Sequence, residues 1–456
     1  MKYKTISILI FFFLFLVTCF FRLYNIQTSA RFTRDESSDL VSIKKIYDNR
    51  KITLIGPIGE GNVAIFSSLT YYLCLPFAIL LNFDPISPAV AASFFGIVTV
   101  VLIWKLFQIY NIKFNLLFLV PIFIFPYLES SRWAWNPHFI PFWQILGLIL
   151  FYLNVPLNYM LSGLIFGLTI HQHWYAVFSC IGVGLLLLIE TKKIKNLIQF
   201  GIGLFLSILP FVIFDVTHPP GLFFSRMINF SPISADSNNN IISIITQFSS
   251  YLVNNNQTVG VIILILSLGL TIYRKNRYLI PIIFQFLGLL LITTPIANRY
   301  LLPGVLFSII WLSQNINHKL TKLIIIIILI TNIYYLPKII SQNDWSTNIK
   351  ALKEITQIIT SESKKDNLVF NIIVLQSQDG NTKGSRFRDL LQLQNTHPLS
   401  PDDYDNPKSL FIISQNSWDK VKVDAAYEIN NFRSDTPTSS WEINNSVWFL
   451  YKVNKK

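Results

Sequence analysis

The sequence predicts a mainly α-helical, polytopic membrane bundle of about 11–12 spans with a small C-terminal α/β domain. Three observations carry that fold class. Of 456 residues, 52% are hydrophobic and only 13% charged, where soluble domains carry roughly 25% charged residues, and mean hydropathy is +0.48. Apolar runs of roughly spanning length recur through residues 1–337. After residue 338 the runs shorten and charge of both signs returns. This composition excludes an ordinary soluble protein, a disordered tail and a collagen-like fibre.

The net charge of +13 is unevenly placed: residues 338–456 hold fourteen acids and fifteen bases, and residues 1–337 hold ten acids and twenty-two bases. Lys and Arg on inner loops set the orientation of a membrane protein. The basicity therefore needs no nucleic-acid partner. The three cysteines, Cys19, Cys74 and Cys180, lie inside apolar runs without CxxC spacing and read as small hydrophobes.

Along the chain, Lys2 and Lys4 precede a segment, 5–26, whose apolar run from about Ile6 to Phe21 is longer than a typical signal-peptide core and is followed by no small-residue cleavage site. It reads as a first membrane helix with its N-terminus inside, anchored at the interface by Arg22 and Tyr24. Residues 37–51 place Leu40, Ile43, Ile46 and Tyr47 at helical spacing opposite Lys44, Lys45 and Asp48, the pattern of a helix lying in the interface. Further apolar segments fall near 62–82, 87–104, 114–128, 138–153, 157–171, 174–190, 197–214, 257–273, 278–294, 299–313 and 320–337. Basic clusters at Lys192–Lys195, Arg274–Arg277 and Lys319–Lys322 mark the inner face. They place the loops 27–61 and 215–256, and everything after 337, outside the cytoplasm. Twelve full crossings would return the C-terminus inside, so the short run 114–128, with Pro126, is expected not to cross fully. The expected division is a membrane module, 1–337, with its outer loop 27–61, and an extracytoplasmic α/β domain, 338–456. In that domain 368–376, 409–414 and 441–453 read as strands and 386–393 as a helix.

Charge is rare here, so its positions matter. Five of the ten acids of residues 1–337 sit in the first outer loop: Asp35, Glu36, Asp39, Asp48 and Glu60. A carboxylate at the mouth of a cavity can serve as general base towards an acceptor hydroxyl, or it can be a solvated loop charge. Four other polar clusters are Ser131-Arg132…Asn136-Pro137-His138, His171-Gln172-His173, Asp215…His218 and Asn298-Arg299-Tyr300. Arg132 and Arg299 suit a lipid phosphate, or snorkelling to headgroups. His171 or His173 could join a loop carboxylate on a divalent metal ion, hydrogen-bond a phosphate, or be satisfied internally; on a helix, i and i+2 point apart. All five clusters fall at the predicted outer ends of spans, where one cavity could gather them around an amphiphilic substrate.

The arrangement resembles the C-type membrane glycosyltransferases, within them the protein O-mannosyltransferase and lipid A aminoarabinose transferase group. Asp35-Glu36 matches the acidic pair of that group's first outer loop. The Gly-Pro turn ahead of Tyr71-Tyr72, the Ser-Arg-x-x-x-Asn stretch at 131–136 and Arg-Tyr-Leu-Leu-Pro at 299–303 are similar to further family motifs. Asn136 stands where the family often has Asp. The resemblance implies inverting transfer of a sugar from a polyprenyl-phosphate donor to a glycan, lipid or protein acceptor outside the cell membrane. It implies Asp35 as general base beside Glu36, and Arg132 and Arg299 on the phosphate. Asn136, His138, His173, Asp215, His218 and Tyr300 would line the substrate site, and Glu60 with His171 would be the metal or phosphate shell. A transporter or flippase of lipid-linked saccharides is the rival reading, although the two halves of the chain look unlike. No dinucleotide fingerprint or P-loop is visible.

Overall fold

The computed structural model describes residues 2–58, 65–153, 155–224, 240–273, 277–291, 296–341, 348–365, 368–375, 383–432, 434–443 and 446–455, of which 2–7 and 272–273 through their backbone alone. Helix α1 (Lys2–Leu23) is the first apolar run. A single turn, α2 (Ile26–Ser29), precedes α3 (Arg34–Asn49). Helix α3 starts nearly a turn before the amphipathic pattern because Thr33 and Glu36 cap it. Strands β1 (Ile55–Ile58) and β2 (Ile65–Ser67) pair antiparallel, so the second apolar run turns helical only at α4 (Leu69–Leu80).

Helix α5 (Ser87–Ile109) follows. The run expected to fall short of a crossing is broken into a 3-10 turn, Leu116–Leu119, and two short helices, α6 (Val120–Phe123) and α7 (Phe125–Ser130). Pro121 and Pro126 sit in their first turns, where a missing N–H costs least. The same device, a 3-10 turn then proline in the first helical turn, opens α8 (Ile140–Tyr152). Next come α9 (Asn158–Gln172), α10 (Ala176–Thr191), α11 (Ile194–Thr217), α12 (Ile241–Tyr251) and α13 (Gln257–Tyr273). The 3-10 and proline device returns at α14 (Ile280–Leu289) and α15 (Leu302–Gln314), and α16 (Lys319–Ser341) closes the apolar series. Helices α5, α11 and α16 are long and apolar enough to cross a membrane, and α4, α10, α13 and α15 are among the shorter apolar ones. The chain is a membrane protein.

The remainder contains α17 (Ile349–Lys365), β3 (Phe370–Val374), α18 (Ser385–Leu393), β4 (Ser409–Ser414), the short helices α19 (Trp418–Val421) and α20 (Tyr427–Phe432), and β5 (Ser439–Glu442) with β6 (Phe449–Asn454). The single strand expected at 441–453 is instead the antiparallel pair β5 and β6. The sheet order is β3-β4-β6-β5, with only β3 and β4 parallel.

The chain divides into two compact units. One comprises residues 1–24, 52–73 and 90–340; the other comprises 25–51, 74–89 and 341–456. The acidic loop helix α3 thus belongs with the C-terminal part. In the first unit, α9 and α11 approach until backbones touch: a Cβ on Gly163 would overlap the Phe200 carbonyl, and one on Gly203 the Met160 carbonyl. Small residues at such crossings let apolar helices pack closely. Buried Asn332 closes the break before α7, its Oδ1 accepting the Phe125 N–H at 3.1 Å and its Nδ2 donating to Leu252 O at 2.9 Å. Arg22 is no interfacial anchor: it is fully buried, and its Nη2 donates to Pro121 O at 3.1 Å. The second unit buries Ile373, Leu410, Ile412, Tyr451 and Val453 of its sheet against Val421, Ile429 and Phe432.

Candidate functional site

In the first unit the site is built around Arg299, on the 3-10 turn Asn298–Tyr300. Three glutamines, buried Gln285 and Gln144 and half-buried Gln247, fix that turn and its flanks. Gln285 of α14 donates to Tyr300 O at 2.9 Å, and Gln144 of α8 to Pro303 O at 3.1 Å. Gln247 of α12 donates to Ile296 O at 2.8 Å. The Arg299 guanidinium lies 4.3 Å over the Trp135 ring and 4.7 Å over the Tyr300 ring, and its Nη2 donates to the Tyr300 hydroxyl at 2.9 Å. Such contacts hold a weakly hydrated cation at about 0.5–2 kcal/mol each. Among the described residues no carboxylate pairs with it. A half-buried guanidinium without a counter-ion keeps donors for an anion, phosphate above all.

Aromatic rings extend this cradle. Trp135 stacks on Trp133 at 4.7 Å and 12°. His138 stands edge-on to Trp133 at 4.9 Å, its Nδ1 2.6 Å from Trp133 O. Tyr175 meets Tyr300 at 4.3 Å, and His173 lies 4.5 Å from Tyr175 and 5.2 Å from Tyr300. His173 Nδ1 and Asn136 Oδ1 are buried without a hydrogen-bond partner among the described residues. The structure therefore gathers Arg299, Tyr300, His173 and His138, which the sequence singles out. It adds Trp133, Trp135 and Tyr175. The Trp-x-Trp spacing was the available signal for the first two; nothing marked Tyr175.

Several other expected site residues make contacts with the framework. Arg132 is buried, and its guanidinium donates to Phe21 O at 2.8 Å, Arg22 O at 3.0 Å and Tyr24 O at 2.8 Å. These are carbonyls left open at the end of α1, and they engage both terminal nitrogens of the guanidinium. His171 sits between Ser67 Oγ at 3.1 Å and Ser207 O at 2.9 Å, which occupies both ring nitrogens. Metal ligation would cost it one of those bonds. Glu60 lies outside the described residues, and among those described no three His, Cys, Asp or Glu are grouped to hold a metal ion. Asp215 accepts three backbone N–H groups, from Leu222 at 2.8 Å, Phe223 at 2.9 Å and Phe224 at 2.6 Å, and so shapes its own loop. His218 is exposed and stacks on Phe214 at 4.4 Å.

In the second unit Asp35 is exposed in the first turn of α3. Glu36 is buried, and its Oε2 accepts both the Thr33 N–H and the Thr33 hydroxyl at 2.6 Å. Within the acidic pair, Glu36 thus caps the helix, while Asp35 stands exposed. The Ser37 hydroxyl lies 2.7 Å from Asp389 Oδ2, and Arg386 Nη1 donates to Phe32 O at 3.1 Å. Burial raises the Asp389 carboxyl above the ordinary aspartate range, against the opposing pull of the Ser37 hydrogen bond and the Arg34 and Lys45 charges.

The fold is like that of ArnT, a C-type membrane glycosyltransferase fold. Two solved structures share it. One is ArnT from Cupriavidus metallidurans bound to undecaprenyl phosphate, at TM-score 0.60 and 9% identity; the other is its apo state, at 0.59 and 8%. Both alignments cover 98% of this chain and 98% of that one. No protein-family profile matches the chain, and no curated protein does.

Proposed function

We propose that the chain is a membrane glycosyltransferase that moves a sugar from a polyprenyl-phosphate donor to an acceptor on the outer face of the cell membrane. The observation that carries this reading is the end-to-end likeness to a structure bound to undecaprenyl phosphate. The uncompensated Arg299 in its aromatic cradle supplies the matching chemistry. In the proposed reaction an acceptor oxygen attacks the anomeric carbon with inversion. The bond from that carbon to the phosphate oxygen breaks, and the acceptor proton passes to Asp35. The lipid phosphate is already a stable leaving group, so charge neutralisation by Arg299 is the help it needs. The acceptor is a glycan, a lipid or a protein, and the N-terminus is cytoplasmic.

The test incubates membranes with a panel of polyprenyl-phosphate sugars and scores release of the lipid phosphate. A flippase would move the donor intact and release none. Asp35→Asn is expected to lower release by about 10²–10⁴-fold while expression and membrane insertion stay normal. Full turnover by that variant removes Asp35 as base.

A further inference from the structure

Helix α18 holds the acidic turn on both sides of Asp35. Arg386 and Asp389 stand three residues apart on α18, the spacing that puts two side chains on one helix face. Arg386 reaches Phe32 O, one residue before the Thr33 cap, at 3.1 Å. Asp389 reaches the Ser37 hydroxyl, two residues beyond Asp35, at 2.7 Å. Asp35 itself remains exposed. The Ser37 oxygen also lies 2.9 Å from Arg34 O. The Ser37 hydroxyl donates to Asp389 Oδ2 and to Arg34 O, its proton shared between the two or given to one of them. Either way, the backbone from 32 to 37 is tied to one face of one helix.

We propose that Arg386 and Asp389 are positioning residues, which act through Phe32 O and the Ser37 hydroxyl to set the first turn of α3 and so the direction of the Asp35 carboxylate. The proposal rests on the reading of Asp35 as the base. A displacement of about 1 Å at a reacting group costs on the order of 10²-fold in rate, so a clamp on the turn has catalytic weight without touching substrate.

The test uses the full chain in membranes or detergent. Ser37→Ala and Asp389→Ala are each expected to lower kcat about tenfold with donor KM unchanged. The double variant is expected to be no worse than either single one, as for partners in one interaction. Asp389→Asn keeps an acceptor and a donor and is expected to recover most of the rate. Hydrogen exchange should rise for the amides of 33–38 in both alanine variants and stay at the wild-type level in β3 and β4. Wild-type exchange at 33–38, or wild-type kcat in both alanine variants, overturns the clamp. Failure of the base reading shows separately, as full turnover by Asp35→Asn.

Discussion

Two arginines differ in where their guanidinium hydrogens go. Those of Arg132 reach three carbonyls at and just beyond the end of α1, and those of Arg299 one phenol and two ring faces. Arg132→Met should therefore act on stability, because hydrogen bonds to a charged group contribute about 1.5–3 kcal/mol each. Arg299→Ala should act on function, raising donor KM or lowering kcat by about tenfold or more with thermal unfolding little changed. Parallel unfolding and lipid-phosphate release assays on the two variants check this; a stability loss confined to Arg299→Ala would reverse the assignment. Sequence placed both arginines correctly as rare, costly charges, but it could not tell them apart. The carbonyls that claim Arg132 lie more than a hundred residues away, and nothing local records them. Glu36 is the opposite case: the Thr33-x-x-Glu36 spacing of a capping box was visible all along, hidden by the attraction of an acidic pair.

At the scale of elements, the crossing of α9 and α11 has no room for a side chain at Gly163 or Gly203. Gly203→Val is expected to destabilise by about 1–3 kcal/mol or more, since it is backbone that must yield; a thermal-unfolding midpoint equal to wild type would refute the close approach. The apolar runs were legible because hydrophobic length is a strong signal, and the broken run at 114–128 was legible because prolines interrupt it. What escaped was the extended and 3-10 structure at the margins. The stretch ahead of α4 is apolar enough to extend that helix, but Ile55–Ile58 and Ile65–Ser67 satisfy their backbone groups across a hairpin instead. Strands β5 and β6 likewise pair antiparallel, with Glu442 opposite Phe449, a reversal that period-2 alternation alone cannot reveal.

At the scale of the whole molecule, a fold can persist at 9% identity over 98% of two chains because burial pattern and helix length constrain it far less tightly than residue identity would suggest. The orientation proposed from the basic loops has a direct check. With Cys19, Cys74 and Cys180 replaced, a single cysteine at exposed Asp402 should react with an impermeant maleimide on intact cells, and one at Lys193 only after permeabilisation. The reverse pattern would turn the molecule over. Finally, the unit that contains α3 is assembled from residues 25–51, 74–89 and 341–456. Its earliest piece leaves the ribosome long before its last. Until α18 has been synthesised and docked, the turn bearing Asp35 lacks Arg386 and Asp389 altogether, so a nascent or truncated polypeptide threads its hydrophobic helices without yet owning a set carboxylate. Birth order along the polymer would then delay competence until translation is nearly finished.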